Sequence, residues 1–270
     1  MEYGIISRID KREALELTKK IIDYITEYSD VLVEENTAEH LELHNTVDAA
    51  PLEEMNVKIM ITVGGDGTIL KALQKVNAAI FAVNMGRVGF LTEVPENEVE
   101  HYLDKLLVKD YIIEQRSKLK TLKNDTELVD AVNEAVIHTS QIAKMRHFNI
   151  FVDDVKADDI RADGLIIATP TGSTCYAMSA GSPIIDPKVP AHVIVPIAPY
   201  KLSTRPLVVP ATSEIRIEEV ERRESILVID GQYEERLEKD VLYFTRSTKT
   251  AKFIRFNGNF YQRVREKLLR

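Results

Sequence analysis

The sequence predicts an α/β N-terminal domain built on a Rossmann-like parallel sheet, followed by a β-rich C-terminal domain. Three observations lead there. Up to about residue 110, short β-branched runs alternate with segments of helical apolar spacing, the texture of a parallel sheet. Two of those runs stop at glycine turns, and in parallel sheets ligands sit outside the carboxyl ends of the strands. From Tyr111 onward, strand-length apolar runs follow one another between turn residues.

Taken in order, residues 3–7 form a short β-branched run, and residues 11–28 carry Ala14, Leu17, Ile21, Ile22 and Ile25 at helical spacing. Residues 31–33 give a second strand, before an acidic, weakly patterned stretch that holds His40 and His44. The strand at 57–63 then runs into Gly64-Gly65-Asp66-Gly67-Thr68, with a helical pattern opening near Thr68. The expectation is a turn whose glycines take backbone angles closed to other residues and leave peptide N–H groups bare. A helix start behind it aims its positive end at the same point, which suits a phosphate. Asp66 is the wrong charge to hold a phosphate, so its proposed task is to take a proton from a hydroxyl. Gly-Gly-Asp-Gly alone is often a plain turn; the flanking strand and helix favour the functional reading.

Residues 79–83 form the next strand, ending in Asn84-Met85-Gly86-Arg87-Val88-Gly89-Phe90-Leu91. Pro95 is expected to begin a helix with Val99, Tyr102, Leu103, Leu106 and Leu107 on one face. Strands are expected at 112–122, 127–138, 148–152, 164–168, 192–197, 214–220, 225–230 and 241–245, and a tail at 253–270 that ends in a basic helical stretch. The domains are therefore 1–110 and 111–252, with the tail packing back on the first.

Composition excludes several classes. The 270 residues carry 43 acidic against 35 basic side chains, net −8, which argues against a surface that binds nucleic acid throughout. Cys175 is the one cysteine, so no internal disulfide forms, and a buried small thiol is the expectation for it. The six histidines show no metal-ligand spacing, so no zinc site is assigned. No apolar run approaches the ~18–20 residues that span a bilayer, and no signal peptide is read at the start; the expectation is a cytoplasmic protein.

Three further blocks carry chemistry. In Ala131-Val132-Asn133-Glu134-Ala135-Val136-Ile137, two polar residues interrupt an apolar strand, and alternation turns one of them inward. The stretch from Arg161-Ala162-Asp163-Gly164 through Thr169-Pro170-Thr171-Gly172-Ser173-Thr174-Cys175-Tyr176 puts more hydroxyls at a helix start than a cap worth about 1 kcal/mol requires. Asp230-Gly231-Gln232 ends another strand, alone a turn signal.

These blocks, in this order over residues 57–232, resemble the NAD kinase family. The Gly-Gly-Asp-Gly turn by itself is shared with lipid and phosphofructokinase-type enzymes; the Asn-Glu pair and the Thr-Gly-Ser-Thr-x-Tyr block point to NAD kinases. The resemblance implies phosphorylation of the 2′-hydroxyl of the adenosine ribose of NAD, giving NADP, with ATP or polyphosphate as donor and Mg²⁺ accompanying ATP. It implies Asp66 as general base, with Gly65, Gly67 and Thr68 holding phosphate oxygens and Asn84 and Phe90 beside them. It further implies that Asn133 and Glu134 contact NAD, and that Asp163, Thr174, Tyr176, Ser179 and Ala198 line the dinucleotide pocket. Thr171, Ser173, Cys175, Ala177 and Met178 stand in the same block, and Lys71, Lys144, Arg161 and Gln232 are further members, the cations as diphosphate partners. Cys175, Ala177 and Met178 replace the Ala, Ser and Leu frequent in relatives, and Ser182 a frequent glycine. The family also implies a homo-oligomer, dimer or tetramer, with small-molecule substrates and neither nucleic acid nor membrane as partner. The alternatives are a lipid kinase using the same turn and a dinucleotide sensor without catalysis.

Overall fold

The computed structural model describes residues 1–43, 46–86, 89–141, 143–221, 224–256 and 260–268. His44, and Arg87 and Val88 of the second glycine turn, lie outside them, as do the last two residues of the basic tail. The chain divides into one unit of residues 1–115 with 251–270 and a second of residues 116–250.

The first unit runs β1 (Tyr3–Ser7), α1 (Arg12–Thr26), β2 (Val31–Glu34), α2 (Glu35–His40), β3 (Asp48–Ala50), β4 (Ile59–Gly64), α3 (Asp66–Lys75), β5 (Ala79–Asn84), β6 (Val94–Pro95) and α4 (Val99–Leu107). Its strands pair in parallel in the order β3-β2-β1-β4-β5. Every residue of β1 and β4 is buried, as expected when helices cover both faces of a parallel sheet. Leu17, Ile21 and Ile25 of α1 pack with Leu103 and Leu106 of α4 against Ile5, Ile61 and Phe81.

The second unit is antiparallel and β-rich, as the texture of the sequence predicts. Its elements are β7 (Ile112–Lys123, entering from the first unit), β8 (Thr126–Glu127), β9 (Glu134–Thr139), β10 (Arg146–Val152), β11 (Val155–Ala162), β12 (Gly164–Ala168), α5 (Tyr176–Ser179), β13 (Ala191–Ile197), β14 (Leu207–Pro210), β15 (Ile215–Glu219), β16 (Ser225–Ile229) and β17 (Tyr233–Leu237). One sheet has the order β14-β13-β12-β9-β16-β17. Its Ile137, Ile167 and Leu227 meet Phe148, Ile150 and Ile217 of β10 and β15 in a shared core. On its other face Val136, Ile166 and Val193 receive Ala177 of α5.

The chain closes with β18 (Val241–Arg255) and α6 (Phe260–Lys267). Residues 241–244 pair with β15, and Lys252 and Phe253 pair in parallel with Ala79 and Ile80.

Several expected boundaries move. The helix assigned to Pro95 starts at Val99, after a short 3₁₀ turn at Glu96–Glu98. The strand expected over 127–138 is broken, because the backbone N–H groups of Val132, Asn133 and Glu134 turn to the Asp230 carboxylate instead of a neighbouring strand. Strand β18 continues ten residues past the expected end at 245, and α6 is the basic helical stretch expected toward the end of the tail.

Candidate active site

Strand β4 delivers Gly64 to its carboxyl end, where it lies in register with Asn84 at the end of β5, so the two glycine turns open side by side. Helix α3 starts at Asp66, two residues before the expected Thr68, with Gly65 as its N-cap. The glycines do not serve unusual backbone angles as expected: Gly65 has φ −109°, and the positive-φ glycines among the described residues are Gly181 and Gly231. They serve space. A Cβ on Gly64 would stand 2.3 Å from Thr68 Oγ1, whereas Cβ atoms on Gly65 and Gly67 would meet nothing within 4 Å. Gly64 is thus small because the helix start closes on it. Gly65 and Gly67 leave bare backbone facing open space at the positive end of a helix.

Asp66 is half-buried, and its carboxylate is clamped by the loop of the second turn. Oδ2 accepts the Phe90 N–H at 2.8 Å and Oδ1 the Leu91 N–H at 3.2 Å. Two amide donors fix its orientation, and an ionised carboxylate keeps further lone pairs for a substrate proton. Asn84 Oδ1 accepts the Gly86 N–H at 3.1 Å and so shapes its own turn. Phe90 is buried with its ring edge-on to Phe260, centroids 5.8 Å apart. Lys71 is exposed, its ammonium 3.7 Å from the buried Glu34 carboxylate.

In the second unit the organising group is Asp230. One oxygen accepts the N–H groups of Asn133 (2.7 Å) and Glu134 (3.2 Å), the other that of Val132 (2.8 Å). Alternation had turned one of Asn133 and Glu134 inward; both are buried, because the clamped segment is not extended strand at Asn133. Burial, with the Asp230 charge behind it, pushes the Glu134 carboxyl up to about 8. Asn133 Oδ1 and Glu134 Oε2 are buried and have no hydrogen-bond partner among the described residues. A carboxyl held neutral at pH 7 can donate a hydrogen bond, and an amide oxygen beside it can accept one: two complementary groups for a polar ligand.

The hydroxyl block is stitched to the same segment. Thr169 Oγ1 donates to the Val132 carbonyl at 2.6 Å, and a Cβ on Gly172 would lie 2.1 Å from the Asn133 carbonyl oxygen. Ser173 Oγ donates to Pro170 O at 2.7 Å and accepts the Ile185 N–H at 2.9 Å; Thr174 Oγ1 donates to Thr171 O at 3.1 Å. These buried hydroxyls brace the turn, as caps do. Thr171 Oγ1 accepts from the buried Arg116 guanidinium at 3.4 Å. Past the turn, Tyr176 is 43% exposed, Ser179 is exposed and Met178 half-buried. Cys175 is half-buried and not the fully buried thiol expected. Ala177 lies wholly in the core.

The remaining positions are scattered more widely in this unit. The Asp163 backbone pairs with Ile197 and Thr139 beside β12. Ala198 is exposed in the left-handed region, φ 45°. Gln232 is exposed, with Nε2 bonded to the Gly231 carbonyl. Lys144 and Arg161 line one pocket with Arg146, His147 and Tyr200. Another pocket, lined by Leu17, Lys20, Ile21, Tyr24 and residues 96–101 and 103, touches none of the candidate residues.

Sequence reasoning passed over Asp230 as a ligand of the Asn133 segment, and over Arg116 and Lys118. The latter two are nearly fully buried on one face of β7. Burial pulls the Lys118 ammonium down, and the charges of Asp130 and Asp230 pull it up. Two cations at alternate strand positions are the signal that was available, since alternation places both on one face.

The first unit carries a Gly-Gly-Asp-Gly helix start and the second a clamped Asn-Glu pair, and the family that the chain matches is one of kinases. Family models for the ATP-NAD kinase N-terminal domain and C-terminal domain match residues 3–111 and 132–256. The chain is 41% identical to the NAD kinase of Pyrococcus furiosus over 99% of both proteins, and 44% identical to that of Methanosphaera stadtmanae over 100% of this chain and 99% of the relative. It superposes on yeast NADH kinase complexed with NADH with TM-score 0.90 and 25% identity, covering 100% of this chain and 87% of the other. For an Archaeoglobus fulgidus NAD kinase in complex with ATP the TM-score is 0.79 and the identity 30%, over 98% and 99%. The chain belongs to the NAD kinase family. It is a kinase enzyme, and the lipid-kinase reading of its glycine turn is not favoured.

Proposed function

We propose that this enzyme transfers the γ-phosphoryl group of ATP to the 2′-hydroxyl of the adenosine ribose of NAD, with Asp66 as the general base. The observation that carries this reading is the clamped Asp66 carboxylate at the start of α3, beside bare backbone at Gly65 and Gly67. A base fixed by two amides is oriented for one hydroxyl, a contribution of roughly 10²–10⁴ in rate. The N–H groups of the helix start stabilise phosphate charge. Asn133 and Glu134 bind NAD with their acceptor and donor, and Asp163, Thr174, Tyr176, Ser179 and Ala198 contribute to the dinucleotide pocket. Lys71, Lys144, Arg161 and Gln232 are assigned to phosphate and ribose contacts, with Thr171 and Ser173 bracing the turn.

No three His, Cys, Asp or Glu side chains gather as a metal-binding group among the described residues. Bound with ATP, Mg²⁺ would supply charge neutralisation for the transferred phosphoryl group. No helix among the described residues is long and apolar enough to cross a membrane. The family resemblance of the sequence supports a cytoplasmic homo-oligomer as the working form.

The test incubates the protein with Mg²⁺, NAD and either ATP or polyphosphate, and follows NADP with an NADP-specific dehydrogenase. NADP formed from ATP supports the reading. NADP formed from polyphosphate alone replaces the donor, and NAD binding without product leaves a sensor.

A further inference from the structure

The peptide between Gly89 and Phe90 is bonded at both ends to charged groups. Its N–H donates to Asp66 Oδ2 at 2.8 Å, and its carbonyl accepts from the ammonium of Lys267, on the last turn of α6. A cation on the carbonyl polarises the amide, and a polarised amide is a stronger donor to the carboxylate beyond it. Lys267 also faces Asp66 electrostatically, together with Arg255, Arg263 and Glu266.

The rest of α6 grips the same loop. Phe260, Arg263 and Lys267 follow one another at helical spacing and share one face. Phe260 lies edge-on to the Phe90 ring, and Arg263 Nη1 reaches Glu93 Oε2 at 3.4 Å. Glu93 also pairs with Arg255 at 3.0 Å, Arg255 Nη1 donates to the Leu91 carbonyl at 3.0 Å, and its Nε bonds Glu114 at 2.8 Å. The loop that clamps the base is therefore held from behind at Gly89, Phe90, Leu91 and Glu93. Lys267 is half-buried, and burial lowers its pKa while Asp66 raises it.

We infer that Lys267 is a positioning residue for the catalytic base, acting through the Gly89–Phe90 peptide to hold the Asp66 carboxylate in its working orientation. The inference rests on the assignment of Asp66 as base. Lys267 itself touches no reacting atom, so its loss shows in turnover and not in substrate binding.

The experiment compares the full-length enzyme with Lys267→Met, Lys267→Arg and Asp66→Asn, in steady-state NADP formation at saturating ATP, with Tm measured alongside. The expected result is kcat lowered about ten- to a hundredfold in Lys267→Met. KM for NAD and for ATP stays within about twofold in that variant, and most of the rate returns in Lys267→Arg. Unchanged kcat in a folded Lys267→Met overturns the inference, as does a loss confined to KM or one that Lys267→Arg shares. If Lys267→Met fails to fold, Lys267→Gln and Lys267→Arg carry the same comparison. Full activity in Asp66→Asn would instead remove the base assignment, so the two failures are read separately.

Discussion

Asp230 accepts the backbone N–H of Asn133 at 2.7 Å across 97 residues of sequence. The same carboxylate binds Val132 and Glu134. Burial raises its pKa, while the three amides and Lys118 oppose the shift. Removing it in Asp230→Ala leaves three buried amides unpaired, each worth about 1–3 kcal/mol. The expected outcome is a Tm well below that of the wild type and weaker NAD binding by calorimetry. Asp230→Asn, which keeps an acceptor oxygen, loses less of both.

Buried carboxyls give stability a slope with pH. Glu134 is pushed up to about 8 and Glu219 to about 7, both chiefly by burial. A raised folded pKa means that the folded state holds a proton which the unfolded chain has released. The stability is therefore fully present below the unfolded carboxyl range near 4.5 and is lost as pH rises through 7 to 8. His192 works in the opposite direction: burial lowers it to about 4, so its share is present above the ordinary histidine value and lost as pH falls toward 4. Thermal melts from pH 5 to 9 should show Tm declining toward pH 9, with a shallower decline in Glu219→Gln. An identical slope in that variant would remove Glu219 from the account.

The glycines of the turn separate by role. Gly64→Ala puts a Cβ 2.3 Å from Thr68 Oγ1 and should lower Tm, because the helix start must move. Gly67→Ala meets open space, so the fold should keep its Tm within about 1 kcal/mol of stability. The methyl would stand where a phosphate approaches backbone, and KM for ATP should rise several-fold. Gly172→Ala, 2.1 Å from the Asn133 carbonyl oxygen, should behave as Gly64→Ala does in Tm while raising KM for NAD.

Much of this was legible in the sequence, for physical reasons that differ by element. Strands β1 and β4 are buried on both faces and read as continuous apolar runs, and α1 shows its stripe of Leu17, Ile21 and Ile25. Strand β11, Val155–Ala162, was missed because it is mostly exposed and polar, so no alternation marks it. β14 is likewise mostly exposed, at one edge of its sheet. The glycine turn announced itself by composition, but the reason for each glycine did not, since the approach of Thr68 to Gly64 is a tertiary fact. The clamp on Asp66 was equally hidden: its donors, Phe90 and Leu91, lie 24 and 25 residues on and bond through backbone, which carries no side-chain signature. Asp230 and Lys267 are further examples, each meaningful only through a partner brought near by folding.

The central claim is that Asp66 takes the proton of the attacking hydroxyl, and the most direct measurement is a comparison of Asp66→Asn with the wild type in single-turnover NADP formation and NAD binding. The amide keeps an oxygen that can accept a clamping N–H bond but has no basicity to spare for a proton. The account predicts NAD affinity within a few-fold of wild type and a rate lower by about 10²–10⁴. A rate equal to wild type at equal NAD occupancy would contradict it.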